Sequence, residues 1–127
     1  MAYPTRFRYT KEHEWIDVEG RRARVGITDH AQSELGDVVF VELPNVGKVV
    51  KKGEALASVE SVKAVSEVYA PVSGKVLETN TALSGAPETV NKDPHGAGWL
   101  VVLELTDPAE AAGLLDATGY ERYLAAS

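Results

Sequence analysis

Gly53-Glu54-Ala55-Leu56-Ala57-Ser58-Val59-Glu60-Ser61-Val62-Lys63-Ala64-Val65-Ser66-Glu67-Val68-Tyr69-Ala70-Pro71 is the stretch whose reading decides the fold. Ala55, Ala57 and Val59, then Val62, Val65, Val68 and Ala70, supply apolar β-formers with polar residues between them, the pattern of half-buried strands. The two strands join at Ser61-Val62-Lys63, where no Gly, Asn, Asp or Pro offers the backbone angles a hairpin turn usually recruits. A local rule broken at a turn tip marks a candidate functional site, and here it places Lys63 as an exposed amine on a two-stranded pedestal. A solvated surface lysine is the alternative from a different class, an interaction module with no modification.

Working outward, the chain repeats itself. Val41, Pro44, Gly47-Lys48-Val49 and Ala55-Leu56 recur as Val68, Pro71, Gly74-Lys75-Val76 and Ala82-Leu83, all at one offset. Two copies are too few for a solenoid, which needs three or more units to bury a continuous core. They are expected to close on each other about a pseudo-twofold axis as a small, mostly β, flattened barrel or sandwich. The same offset carries Lys63 onto Val90, inside Pro87–Pro94, so the second copy has no lysine at its tip and is expected to form an irregular loop there. Gly47 and Gly74 are expected at equivalent turn positions where a Cβ is disfavoured.

Before the repeat, residues 1 to 8 carry scattered polar groups and one proline, and the first few read as loose. Trp15-Ile16-Asp17-Val18, a turn at Glu19-Gly20 and Ala23–Ile27 read as a hairpin with Gly20 at positive φ. Thr28-Asp29 offers an N-cap oxygen, Gln32 falls three after Asp29 as in a capping box, and Gly36 follows Leu35, so a short helix is expected over 29–35. After the repeat, Trp99–Leu105 reads as a closing strand with Trp99 in the core. Asp107-Pro108-Ala109-Glu110 starts a helix of about two turns reaching Leu115. Asp116–Gly119 interrupts it, and a last turn or two sets Tyr120, Tyr123 and Leu124 on one face against the barrel. The whole is expected to be one domain over 1–127: hairpin and helix across 9–36, the first copy across about 38–63, the second across about 64–105 and terminal helices across 107–125.

Composition narrows the function. The 127 residues carry a formal net charge of −6, which argues against nucleic acid and suits an acidic face meeting basic partner proteins. There is no cysteine, hence no disulfide, thiolate nucleophile or Cys-type zinc site. His13, His30 and His95 are not spaced as metal ligands. No apolar run would span a bilayer and no leader segment stands at the start, so a soluble, cytoplasmic protein is expected. Gly20, Gly26 and Gly36 make no phosphate loop, and no nucleophile with its base or paired acids is in order. The chain reads as a carrier rather than an enzyme.

Glu60-Ser61-Val62-Lys63-Ala64 resembles the attachment site of lipoyl carriers. With Tyr9-Thr10-Lys11-Glu12-His13-Glu14-Trp15, Gly26-Ile27-Thr28-Asp29-His30-Ala31-Gln32, Asn91-Lys92-Asp93-Pro94 and Gly98-Trp99, nearly the whole chain resembles the H-protein family of the glycine cleavage system. The resemblance implies the lipoyl/biotinyl-carrier fold that the repeat suggests independently. It implies lipoate in amide linkage on Lys63, with Glu60, Ser61, Val62 and Ala64 as its flank. Its partners would be a pyridoxal-phosphate glycine decarboxylase that loads an aminomethyl group, an aminomethyltransferase that passes the carbon to tetrahydrofolate, dihydrolipoamide dehydrogenase, and lipoate-attaching enzymes, the carrier itself being a monomer. Glu14 matches a cleft acid of the family, with Glu12 and Glu67 as candidate neighbours; each can also be read as a solvated surface charge. Biotin carriers set their lysine between methionines, whereas Val62 and Ala64 flank Lys63. Lipoyl domains of 2-oxo acid dehydrogenases usually carry Asp before the lysine and consist of the barrel alone, so the terminal additions favour the H-protein family.

Overall fold

The computed structural model describes residues 3–126. Its strands are β1 (Arg8–Tyr9), β2 (Glu14–Glu19), β3 (Arg22–Ile27), β4 (Val38–Glu42), β5 (Val49–Val50), β6 (Ala55–Ser61), β7 (Val65–Tyr69), β8 (Gly74–Thr79) and β9 (Val101–Leu105). They form a six-stranded sheet in the order β1-β2-β3-β9-β8-β5 and a three-stranded sheet in the order β4-β6-β7. Val25, Val76 and Leu103 from the first sheet meet Val41, Val59 and Val68 from the second in one buried cluster. Of the two forms expected, the structure is the flattened sandwich: the two sheets are separate hydrogen-bonded units, packed face to face without closing into a barrel.

The sequence repeat has a structural counterpart where β5 and β8 pair antiparallel, Val49 opposite Lys75 and Val50 opposite Gly74. Equivalent strands meeting antiparallel is the contact a twofold axis demands. The copies then diverge. Ala55-Leu56 opens β6, whereas Ala82-Leu83 lies in a 3₁₀ turn, Thr81–Ser84, although both leucines are buried. The segment around Val90 is not an irregular loop: it holds one helical turn, α2 (Thr89–Lys92), with Val90 fully buried.

Gly47 and Gly74 are not equivalent turn positions. Gly47 sits at φ 96° with open space around it, whereas Gly74 lies in β8, where a Cβ would stand 2.5 Å from the Glu104 carbonyl oxygen. One glycine is required by conformation and the other by contact. Gly74→Val should therefore cost about 2–3 kcal/mol by forcing β9 away, and Gly47→Val about 1–2 kcal/mol by backbone strain. Gly47→Asn should recover most of its loss because Asn tolerates positive φ, while Gly74→Ala should not. Equal losses for these last two in chemical denaturation would contradict the distinction.

The alternation in the central hairpin is also revised. A bulge between Ala55 and Ala57 in the β6–β7 pairing buries both Leu56 and Ala57 and leaves Ala55 exposed. Val62 and Val65, counted with the inward set, are 73% and 64% exposed. Only Val68 and Ala70 of that group face the core.

A second cluster covers the outer end of the large sheet. Trp15 is fully buried, its ring over Gly26 on the paired strand, where a Cβ would come within 2.6 Å of the indole. The first few residues were expected to be loose, and residues 1 and 2 lie outside the described residues; Phe7 is buried and stacks on Trp15 at 4.4 Å between ring centroids. Trp99 is half-buried at the margin of this cluster, 5.6 Å below the Arg24 guanidinium, rather than in the central core.

The helices follow their caps. In α1 (Asp29–Leu35), Thr28 is the N-cap and accepts from the Ala31 amide; Gln32 donates to the Asp29 carboxylate rather than closing a capping box, because it lies four residues from the true cap. The helix after Asp107 is a single turn, α3 (Ala109–Ala112). The last helix, α4 (Ala117–Ala126), is longer than expected because Asp116 accepts from the Gly119 amide at 2.7 Å and starts it instead of interrupting. Its Tyr120 packs into the aromatic cluster beside the N-terminal segment rather than onto the central core. No helix among the described residues is long and apolar enough to cross a membrane.

Candidate functional site

Lys63 lies between β6 and β7 in a turn whose angles need no glycine. His13 is the one non-glycine residue at positive φ among the described residues, so Val62, Lys63 and Ala64 all keep ordinary backbone angles. Ser61 supplies what turn residues normally would. Its hydroxyl accepts from the Lys63 and Ala64 amides at 3.3 and 3.1 Å, and its own amide donates to the Ala64 carbonyl at 2.7 Å. The Val62 amide donates to the Asp37 carbonyl at 3.1 Å, tying the tip to the start of β4. The backbone under Lys63 is thus fixed from two sides. Its side chain is exposed, forms no ion pair among the described residues, and runs past Gly36, where a Cβ would meet Cε at 3.5 Å. Glu60 is exposed beside it.

At the other end of β7 a cavity of about 350 Å³ opens between the Thr10–Glu14 turn, Lys52-Gly53, Tyr69–Pro71 and Gly113–Leu115. Glu12 and Glu14 line it together. Glu67 does not: it is exposed on β7 and borders a separate shallow groove with Glu42 and Lys48. Successive strand residues advance about 3.3 Å, so Tyr69 lies on the order of 20 Å along the strand from Lys63.

Glu14 is not a solvated charge. It is 2% exposed, accepts from the Thr10 hydroxyl at 2.7 Å and from the Tyr69 amide at 3.0 Å, and has no cationic partner among the described residues. Burial pushes its carboxyl pKa up, with the two hydrogen bonds opposing. A buried carboxylate lacking a counter-charge, at the wall of a largely apolar cavity, is suited to receive a cation. Thr10 and Tyr69 were not legible as site residues. The single cue was a hydroxyl four residues before Glu14.

His13 and His30, distant in sequence, lie with ring centroids 4.6 Å apart, and His95 accepts from the Asp29 amide at 3.1 Å. No group of three or more His, Cys, Asp or Glu is placed to hold a metal ion among the described residues.

The profile of the glycine cleavage H-protein family matches residues 7–127. The chain is 57% identical over 124 residues to the glycine cleavage system H protein of Acidobacterium capsulatum, covering 98% of this chain and 95% of that protein. It is 60% identical over 117 residues to that of Caulobacter vibrioides, covering 92% and 97%. The crystal structure of a glycine cleavage system H protein from Mycobacterium marinum superposes with a TM-score of 0.88 at 43% identity, over 97% of this chain and 99% of that one.

Proposed function

This chain belongs to the glycine cleavage H-protein family, and from that premise we propose that it is the lipoyl carrier of the glycine cleavage system, with Lys63 as its attachment site. The observation that carries the assignment of the site is the Ser61-braced tip, which holds one unpaired amine out from a rigid hairpin while its repeat counterpart, Val90, is buried. The residues fit the group: an acylating enzyme needs an exposed primary amine at a fixed height, and no carboxylate among the described residues ties Lys63 down. Lipoate on Nζ would supply a dithiolane able to take an aminomethyl group from a pyridoxal-phosphate glycine decarboxylase and yield it to a tetrahydrofolate-dependent aminomethyltransferase. Dihydrolipoamide dehydrogenase and the lipoate-attaching enzymes complete the partners, all of them reading one monomeric carrier that does no catalysis itself.

The chain's own residues position and protect. Ser61 and Asp37 fix the turn; Glu60, Val62 and Ala64 flank the amine for recognition; Glu67 lies along β7 between the lysine and the cavity. In the cavity, whose lining is mostly apolar and also includes Lys11 and Lys52, Glu14 and Glu12 present negative charge to a cationic amine.

Glu14→Gln separates these roles. Because burial raises the folded-state pKa of Glu14 above its unfolded value, the folded state holds the proton more tightly, and the cost of ionising it grows as pH rises from about 4.5 through the raised value. The stability that the raised pKa contributes in wild type is present at low pH and lost as pH rises through that window, and Glu14→Gln should lack this pH dependence in thermal unfolding. The same variant should lose the charge-assisted bond, worth roughly 1.5–3 kcal/mol, and release ammonia and formaldehyde from the loaded carrier roughly ten- to a hundredfold faster with no partner enzyme present. Equal release would remove Glu14 from the function.

A further inference from the structure

His13 stands at φ 69°, in the left-handed region that is strained for a residue with a Cβ. Such strain persists where the surroundings hold it. Here three contacts do so. The His13 amide donates to the Thr10 carbonyl at 3.1 Å, the Thr28 amide donates to the His13 carbonyl at 3.0 Å, and the ring Nδ1 lies 2.8 Å from the Tyr120 hydroxyl of α4. Tyr120 is fully buried, stacks on Tyr9 at 4.8 Å and touches the Thr28 hydroxyl at 2.8 Å. Thr28 accepts from the Ala31 amide; in the arrangement where the Thr28 hydrogen goes to Tyr120, the Tyr120 hydrogen goes to a neutral His13.

The turn that His13 closes is the one that presents Glu14. Thr10 donates its amide to the Glu14 carbonyl at 2.9 Å, and its hydroxyl accepts from the Glu12 and Glu14 amides while donating to the Glu14 carboxylate. We propose that His13 is a positioning residue of the cavity, pinned by Tyr120 of the C-terminal helix so that the Thr10–Glu14 turn aims Glu14 at the edge amide of Tyr69. The proposal rests on the reading of this cavity as the protective cleft of the carrier. The C-terminal segment contributes twice, since Leu115 pairs with Tyr9 through both backbone groups and lines the opposite wall.

The arrangement has a pH dependence with a defined sign. Facing the His13 ring are Glu12 of its own turn, His30 and Glu34 of α1, and Tyr120 and Tyr123 of α4. Burial, and then His30, hold the ring's pKa below the usual histidine value, Glu12 and Glu34 opposing. In the arrangement where Thr28 donates to Tyr120, the neutral ring accepts from Tyr120 at physiological pH. As pH falls from about 6.5 through the lowered value, the ring protonates and Nδ1 can no longer accept.

The test uses the unmodified full chain and reads the amide exchange of Tyr69, the donor to Glu14. Tyr120→Phe keeps the stacked ring and removes the hydroxyl; His13→Gly keeps the left-handed backbone and removes the imidazole. Each should speed Tyr69 exchange about tenfold, the equivalent of one hydrogen bond. His13→Asn, which tolerates positive φ and offers an amide oxygen, should stay nearer wild type. In wild type, lowering the pH through the His13 titration should bring the same acceleration after correction for intrinsic exchange. In His13→Gly that step should be missing, leaving only the acceleration that protonation of Glu14 itself brings, which wild type and variant share. Wild-type exchange and an unchanged pH profile in folded Tyr120→Phe and His13→Gly would overturn the proposal. The cleft reading fails on the release rate of Glu14→Gln and not on this exchange, so the two failures are distinguishable.

Discussion

Lys63→Arg is expected to carry no lipoyl group and to support no glycine cleavage, while unfolding with wild-type thermodynamics. The guanidinium matches lysine in charge and approximate length but stays protonated and cannot serve as the acylated amine. The fold has no stake in the ammonium, because Lys63 is exposed and makes no ion pair among the described residues, and the turn beneath it is built from Ser61 and main-chain groups. A surface substitution of this kind shifts stability by less than about 0.5 kcal/mol. Loss of function with an unchanged melting curve is therefore the predicted pair of results. Wild-type levels of attached lipoate in the variant would mean that the attachment site is elsewhere.

The largest stability effect is expected at Trp15. Its ring is fully buried, stacks on Phe7 and fills the space over Gly26, and its indole N–H donates to the carbonyls of Ile27 and Pro94 at 2.9 and 3.0 Å. Trp15→Ala removes the ring from a cluster that ties the N-terminal segment, the large sheet and α4 together. Truncation of a buried Trp costs about 3–5 kcal/mol, and two carbonyls left without their donor push the value to the upper end. A domain of this size loses roughly 4 °C per kcal/mol, so thermal unfolding should come about 20 °C lower. A loss of less than about 1 kcal/mol in denaturant titration would show that the aromatic cluster is peripheral to folding, contrary to this account.

The sandwich and α1 were legible because their signals are local or repeated. Alternating strands, Gly20 and Gly36 at positive φ, and two copies related by one offset need no tertiary knowledge. The hairpin tip was legible as an anomaly but not as a mechanism: the missing turn residue is explained only by the Ser61 hydroxyl folding back onto two amides. Face assignments failed where a single residue changes parity, as at the bulge beside Leu56 and across the turn between Val62 and Val65. The cavity was legible only as single acids, since its geometry comes from contacts spanning the chain. Glu14 reaches Tyr69 and His13 reaches Tyr120, 55 and 107 residues away, and Trp15 finds Pro94 across 79. No periodicity reports such pairs.

The measurement that bears most directly on the central claim is intact and peptide-mapped mass spectrometry of the protein purified from its native source. The account predicts a fraction heavier by one lipoyl group, with the added mass confined to the peptide containing Glu60-Ser61-Val62-Lys63-Ala64 and placed on Lys63. Lipoate on any other lysine, or a fully unmodified Lys63 in cells that are cleaving glycine, would contradict it.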